Sequence, residues 1–269
     1  MKSFSAVAVV TGWALAGLAG CTNGNGVQDP MNVELMTDQR LDQGLVILLP
    51  GIEGEGSLSY GVREGLVAGG VGSALPIYQW GRPVPLLGPI LNQTDVLGNR
   101  AVAERIGQMI AQYQDTHPER PVYLVGHSGG GGVAVFTAEA LPAGRQIQGL
   151  ILLSASISSG YDLSSALAKC RKGIVNFYST GDVAFLVIGT SVAGNVDGVR
   201  GPAAGAVGFE KKPDRLWQVE WKPEMAASGN FGGHMDTASS AFVQHYVAPW
   251  IRQSSWPAKA ASGAAVTSR

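Results

Sequence analysis

Short apolar runs without polar interruption place the tightest limit on how this chain can fold. Leu45–Leu49, Val122–Val125 and Leu150–Ser154 are runs of this kind. A strand that is apolar on both faces belongs inside a parallel sheet. Stretches with helical spacing, such as Asp95–Gln114 and Val133–Leu141, alternate with these runs. The order predicts the α/β class, with a mostly parallel central sheet and helices on both of its faces.

Further elements complete this prediction. Strands are also predicted at Val33–Met36 on a sheet edge, Ala74–Trp80, Ile174–Tyr178 and Leu216–Trp221. Helices are also predicted at Tyr60–Ala68, Leu163–Lys169 and Ala241–Ile251. Apolar residues make up 45% of the chain and charged residues 14%, enough to bury a sizeable core. The net charge is -1 and the basic residues are scattered, so the sequence argues against nucleic-acid binding.

The N-terminus carries the features of a secretory signal. Lys2 precedes an apolar stretch from Phe4 to Ala19, which is too short and too interrupted for a comfortable membrane span. The stretch ends in Leu18-Ala19-Gly20-Cys21, which resembles the bacterial lipobox. That resemblance implies a diacylglycerol on the Cys21 thiol and cleavage before it. A plain secretory signal with a chance cysteine is the alternative.

These features divide the chain into a signal, a tether, one domain and a tail. Residues 1–20 are predicted as a lipoprotein signal peptide, 21–40 as a tether, 41–253 as one α/β domain and 254–269 as a disordered tail. Acyl chains on Cys21 would anchor the protein to a membrane of the cell envelope. Thr22 rather than Asp after the cysteine favours the outer membrane if the organism is Gram-negative. Acylation would leave Cys170 without a disulfide partner, as a buried or semi-buried small apolar residue.

A Gly-x-Ser-x-Gly pattern, Gly126-His127-Ser128-Gly129-Gly130, is the main candidate for chemistry. The pattern is weak in a glycine-rich chain, but here it follows an apolar strand and precedes an apolar helix. That context is typical of a nucleophile elbow, a sharp turn that exposes the serine hydroxyl. The helix N-terminus beyond it would favour developing negative charge. A glycine-rich turn with an idle serine is the alternative.

A serine nucleophile needs a base and an acid that orients the base. Of the four histidines, His234 lies in a glycine-rich loop between the last strand and the last helix. Asp182 follows a strand, and the chain order Ser128, Asp182, His234 is that of the α/β-hydrolases. Asp162 and Asp197 compete for the role of the acid.

The resemblance to the α/β-hydrolase superfamily covers roughly Leu41 to Arg252 and implies an oxyanion hole. Its backbone donors should be the N–H groups of Gly129 and Ile52. Many relatives carry His where this chain has Pro50. Glu53 and Glu55 are unusual in this loop, and we expect them to face solvent.

The spacing also bears on the surroundings of the site. About twenty residues separate the predicted strand that ends near Ser154 from the one that starts near Ile174. This spacing leaves no room for a large lid domain. The segment Val187–Phe209 either shapes the substrate pocket or is a surface loop. Tyr78, Trp80 and Phe185 either line an apolar acyl site or pack in the core.

The sequence predicts a serine hydrolase that cleaves carboxylic esters through an acyl-Ser128 intermediate at the cell envelope. Small-molecule, lipid or polyester esters would all suit the same residues. Neither zinc spacing nor a nucleotide-binding motif is present, so no metal and no cofactor is predicted. The alternatives are a non-catalytic envelope lipoprotein that binds a ligand, a serine peptidase and an acyltransferase.

Overall fold

A computed structural model describes residues 31–81, 93–182 and 194–257. Within these ranges seven strands form one sheet in the order β1-β3-β2-β4-β5-β6-β7. The strands are β1 (Met31–Asn32), β2 (Leu45–Leu49), β3 (Ile77–Tyr78), β4 (Val122–His127), β5 (Ile147–Leu153), β6 (Cys170–Tyr178) and β7 (Leu216–Glu220). All neighbours are parallel except β1, which runs antiparallel to β3 at the edge.

Helices connect these strands. They are α1 (Asp38–Leu41), α2 (Ser57–Ala68), α3 (Val96–Thr116), α4 (Gly129–Glu139), α5 (Ser164–Ala168), α6 (Ala204–Val207), α7 (Ser240–Phe242) and α8 (Ala248–Arg252). Three short 3₁₀ helices lie at Thr180–Asp182, Pro223–Ser228 and Asp236–Ala238, and a π-helical turn, Val243–Val247, joins α7 to α8. Asp95 caps α3 by accepting a hydrogen bond from the Gly98 N–H at 2.9 Å.

Alternate residues of the central strands point into two separate cores. Ile47 and Leu49 of β2 pack on one face of the sheet with side chains of α3, α4 and α5. Val46 and Leu48 pack on the other face with side chains of α2 and of the closing helical segment, residues 240–252. Both faces of the central strands are therefore buried, which confirms the predicted layers. None of the described residues forms a separate lid domain.

Two predicted strands differ from the structure. The edge strand is Met31–Asn32 rather than Val33–Met36, where Leu35 has a φ of 63° and breaks the extended backbone. The predicted strand Ala74–Trp80 pairs as a strand only at Ile77–Tyr78, although most of this segment is buried. The prediction was too long because burial made the segment apolar beyond the residues that form ladder hydrogen bonds.

The folded part of the chain reaches past both predicted domain limits. Asn32 pairs with β3 inside the predicted tether, and Met36 is buried. In the predicted tail, Trp256 is buried and its ring meets that of Trp217 edge-on, with 5.1 Å between the centroids. The packed structure therefore extends beyond residues 41 and 253. The predicted signal, Cys21 and residues 258–269 lie outside the described residues.

Cys170 is fully buried at the start of β6, which confirms its prediction as a buried apolar residue. Burial raises the pKa of its thiol to about 12. No helix within the described ranges combines the length and the apolar character that crossing a bilayer requires.

Candidate active site

Ser128 lies at the turn between β4 and α4 with a φ of 52°, a value that side-chain-bearing residues rarely adopt. Backbone hydrogen bonds hold this turn. The Ser128 N–H donates to the Leu153 carbonyl at 2.9 Å, and the Ser128 carbonyl accepts from the Ser156 N–H at 2.9 Å. The strand, turn and helix predicted around Ser128 are therefore present, with a strained serine at the corner.

The glycines around Ser128 allow the backbone segments of the turn to approach closely. A Cβ on Gly126 would lie 2.4 Å from the Gly130 carbonyl oxygen. A Cβ on Gly130 would lie 2.2 Å from the Leu49 carbonyl oxygen and 2.3 Å from that of Pro50. No side chain fits at either position, so the glycine pattern is a steric requirement of the turn.

His234 meets the serine from the loop that precedes the 3₁₀ helix Asp236–Ala238. Its Nε2 lies 2.9 Å from Ser128 Oγ, and its Nδ1 lies 2.9 Å from Asp182 Oδ2. The Asp236 carboxylate accepts hydrogen bonds from the Phe231 and Gly233 N–H groups at 3.1 and 2.9 Å. The structure thus brings together the three predicted residues in the order hydroxyl, imidazole, carboxylate.

Asp182 reaches His234 from the 3₁₀ helix just after β6. Its side chain is fully buried. Burial raises the pKa of Asp182, although the hydrogen bond and the charge interaction with His234 act in the opposite direction. A carboxylate at Nδ1 selects the Nδ1–H tautomer of an imidazole, and in that tautomer Nε2 can accept a hydroxyl proton.

The alternative candidates for the acid, and two of the other histidines, make different contacts. The Asp162 carboxylate is exposed and accepts from the Ser164 N–H, and Asp197 accepts from Ser158. His117 stacks on the Tyr113 ring at the end of α3. His245 Nδ1 lies 2.8 Å from the carbonyl oxygen one helical turn earlier. Ser128 and His234 instead meet each other, and His234 meets Asp182.

The two predicted oxyanion donors are neighbours in space. A Cβ on Gly129 would lie 2.9 Å from Ile52 Cγ2 and 3.2 Å from Trp80 Cζ2. Trp80 Nε1 donates to the Pro50 carbonyl at 2.6 Å and so fixes the loop that carries Ile52. Tyr78 and Trp80 are both buried in the core, which favours packing as their role, and Phe185 lies outside the described residues.

The two loop carboxylates have protein partners as well as contact with solvent. The Glu53 side chain is 43% exposed, but its Oε1 lies 3.7 Å from Nδ1 of the buried His127. Glu55 accepts from Asn32 Nδ2 at 2.6 Å and from the Tyr60 hydroxyl at 2.9 Å. Both carboxylates thus face protein partners rather than solvent alone.

The described part of the segment Val187–Phe209 packs against the site from outside. Ala203 bridges to Ser158, and a Cβ on Gly205 would lie 2.2 Å from the Ser154 carbonyl carbon. This region therefore supports the end of β5. Residues 187–193 lie outside the described ranges.

His127 is the site residue that the motif did not reveal. The pattern leaves this position variable, yet its ring lies between the elbow and the base, and its Nε2 is 3.1 Å from the His234 carbonyl oxygen. Asp236 and Thr237 also hold the His234 loop. Their positions two and three residues after a candidate base were the available sequence signal. Among the described residues no group of three His, Cys, Asp or Glu side chains could hold a metal ion.

Comparison with solved structures defines the class of fold. A dienelactone hydrolase from Anabaena variabilis is 14% identical, with a TM-score of 0.51 over 87% of this chain and 95% of that one. Est1E from Butyrivibrio proteoclasticus, solved with ferulic acid, is 13% identical, with a TM-score of 0.51 over 86% and 96% of the two chains. Aspergillus fumigatus lipase B is 13% identical, with a TM-score of 0.51 over 80% of this chain and 54% of that one.

This chain has the α/β-hydrolase fold, with helices on both faces of a mostly parallel sheet. The family model described as "Serine aminopeptidase, S33" matches residues 97–192, which include the elbow and Asp182 but not His234. No curated protein matches the sequence.

Proposed function

We propose that the protein is a serine hydrolase that cleaves carboxylic esters through an acyl-Ser128 intermediate. The observation that carries this proposal is the pair of 2.9 Å contacts that join Ser128, His234 and Asp182 in one line. Such a line makes a serine hydroxyl nucleophilic at neutral pH, because the imidazole can take its proton as the oxygen attacks.

In the proposed mechanism each group has one step. Ser128 Oγ attacks the ester carbonyl carbon while His234 Nε2 takes the hydroxyl proton. The Gly129 and Ile52 N–H groups stabilise the oxyanion. The C–O bond then breaks, His234 gives its proton to the leaving alcohol, and the acyl group stays on Ser128. His234 then takes a proton from water, and the resulting hydroxide attacks the acyl carbon. The bond from that carbon to Ser128 Oγ breaks, His234 returns the proton to Oγ, and the acid is released.

Exposed apolar side chains beside the base favour a substrate with an apolar part. Phe231 is 71% exposed and Met235 is 51% exposed, and both belong to the loop that carries His234. This placement supports small apolar esters, lipids or short polyesters as the substrate class. The dienelactone hydrolase, the lipase and the ferulic-acid-bound Est1E that share the fold are consistent with ester chemistry.

A fluorophosphonate probe tests the proposed function directly, because it phosphonylates only an activated serine. We expect the wild type to be labelled and Ser128→Ala to remain unlabelled at equal folded concentration. A folded wild type that resists the probe would favour the non-catalytic binding lipoprotein instead. A series of p-nitrophenyl esters of increasing acyl length would then define the acyl preference.

A serine peptidase is the second candidate, and the family match over residues 97–192 favours it. Amide and ester cleavage would use the same three residues, so the structure of the triad does not separate them. Parallel rates on p-nitrophenyl esters and on peptide anilides decide between the two. A specificity constant for anilides equal to or above that for esters would overturn the esterase proposal. Transfer of the acyl group to an added alcohol would identify an acyltransferase.

We further propose that acylation of Cys21 tethers the enzyme to the cell envelope. The support is the sequence Leu18-Ala19-Gly20-Cys21 after an apolar stretch. Metabolic labelling with radioactive palmitate should mark the wild type and not Cys21→Ser. Equal labelling of the two would exclude this anchor.

A further inference from the structure

His127, next to the nucleophile, contacts the main chain of the base rather than any substrate-facing group. The residue is 4% exposed, and its Nε2 lies 3.1 Å from the His234 carbonyl oxygen. The two imidazole rings are 5.2 Å apart between centroids and tilted by 45°. A carbonyl oxygen can only accept, so Nε2 of His127 carries a hydrogen and donates it.

The other nitrogen of the ring faces a carboxylate. Nδ1 of His127 is buried, has no hydrogen-bond partner among the described residues and lies 3.7 Å from Glu53 Oε1. Burial alone would raise the pKa of Glu53, but the interaction with His127 and the Gly51 and Glu53 backbone N–H groups hold it below its ordinary value. An ionised Glu53 therefore lies 3.7 Å from Nδ1 of His127. Because Nε2 already carries a hydrogen, attraction between the two groups requires a second hydrogen on Nδ1, as in an imidazolium.

The His234 carbonyl is held from a second side as well. Thr237 Oγ1 lies 3.5 Å from the same carbonyl oxygen, at the outer limit of a hydrogen bond, and 3.1 Å from Ser154 Oγ. The 3.1 Å contact from His127 is the shorter of the two. His127 is thus the stronger restraint on the backbone from which the base projects.

We infer that His127 is a positioning residue for His234, with Glu53 orienting the His127 ring. The inference rests on the proposed function, since it concerns how the base is aimed at Ser128. The Glu53–His127 pair resembles the Asp182–His234 pair in form, a carboxylate beside an imidazole. Its target is a backbone carbonyl, so it fixes geometry and takes no proton from the substrate.

Two amide substitutions separate the roles of the two ring nitrogens. Gln places its amide nitrogen near the Nε2 position of histidine, and Asn places it near Nδ1. His127→Gln therefore keeps a donor for the His234 carbonyl, whereas His127→Asn keeps only a group facing Glu53. Glu53→Gln removes the charge that orients the ring. Glu55→Gln is the matched control, because this carboxylate of the same loop bonds to Asn32 and Tyr60 instead.

The readout is the second-order rate of fluorophosphonate labelling, measured well below the melting temperature of each variant. We expect His127→Asn to be slowed about 10- to 100-fold, the range seen when partners that orient active-site ligands are removed. His127→Gln should recover most of the rate, Glu53→Gln should fall between the two, and Glu55→Gln should match the wild type. With an ester substrate, kcat should fall in His127→Asn while KM stays unchanged, because the substrate does not touch His127.

Three results would overturn the inference: a wild-type rate in His127→Asn, an equal loss in His127→Gln, or losses that follow the unfolded fraction. Failure of the proposed function would look different, as absence of labelling in the wild type. In that case the low-field Nδ1–H proton resonance of His234, identified by its loss in Asp182→Asn, decides. It should persist in His127→Gln and broaden in His127→Asn, and equal signals in both would refute the positioning role.

Discussion

The backbone of Ser128 stores strain at the point where chemistry is proposed. A side-chain-bearing residue at its φ of 52° costs about 1–3 kcal/mol, which the surrounding hydrogen bonds and packing must offset. Ser128→Gly and Ser128→Ala both remove the hydroxyl, but only Gly relieves the backbone. We therefore expect Ser128→Gly to be more stable than Ser128→Ala by about 1 kcal/mol in urea unfolding. Equal unfolding midpoints would show that the turn is not strained.

Asp182 separates activity from stability. Its pKa is raised in the folded protein, so the folded state binds this proton more tightly than the unfolded state. The resulting contribution to stability is full below the unfolded pKa of about 3.9 and is lost as the pH rises through the folded pKa. At neutral pH the buried, ionised Asp182 carboxylate therefore lowers the free energy of unfolding.

Asp182→Asn should remove both this destabilising charge and the activity. We expect its Tm at pH 7 to equal or exceed that of the wild type, and the difference to shrink as the pH falls. The rate should drop about 10³- to 10⁴-fold, since an amide no longer selects the required tautomer of His234. Melting curves across pH and ester kinetics measure the two effects. A marked loss of Tm at pH 7 would contradict this account.

At the scale of elements, the glycines that begin α4 explain where the sequence prediction fell short. Glycine disfavours helix, so the helix was predicted from Val133, whereas it begins at Gly129. Glycine occupies this first turn because the Leu49 and Pro50 carbonyls, and Val196 beside Gly132, leave no space for side chains there. The turn is therefore helical despite its poor helix propensity. The central strands were predictable because burial on both faces leaves a continuous apolar run.

Gly130 offers a direct test of this close approach. A Cβ at this position would lie 2.2 Å from the Leu49 carbonyl oxygen, so Gly130→Ala must shift the backbone of β2 or of α4. We expect a loss of about 1–3 kcal/mol in the free energy of unfolding, typical of overpacking, together with slower labelling of Ser128. Gly56→Ala is the control, because a Cβ there meets nothing within 4 Å.

The contact between Glu53 and His127 could not be predicted from the local sequence pattern around either residue. Ser128, Asp182 and His234 were predictable because a strand, a turn or a glycine-rich loop flanks each of them in chain order. Glu53 carries no such signal, since a carboxylate in a glycine-rich loop ordinarily faces water. Its partner lies 74 positions later in the chain, and only the pairing of β2 with β4 brings the two loops together.

At the scale of the whole molecule, the sheet divides the apolar residues into two cores that meet different helices. The core under α2 and the closing helical segment also receives Trp256, from beyond the predicted end of the domain. Its Nε1 donates to the Trp250 carbonyl at 2.6 Å, and a Cβ on Gly149 of β5 would lie 2.6 Å from its Cη2. The residues after α8 thus cover this core near the start of β5.

Trp256→Ala tests whether this closure stabilises the fold. The side chain is 8% exposed and its ring meets those of Trp217 and Trp250 edge-on, at centroid distances of 5.1 and 5.3 Å. Truncation of a buried Trp leaves a cavity and costs about 3–5 kcal/mol, so the urea midpoint should fall well below that of the wild type. Leu97→Ala, at a side chain 81% exposed, should change stability by about 0.5 kcal/mol or less. Because Trp256 packs on α8 and β7, away from the triad, the folded fraction of Trp256→Ala should label with fluorophosphonate at the wild-type rate. Equal stability of the two variants would mean that the packed domain ends before Trp256.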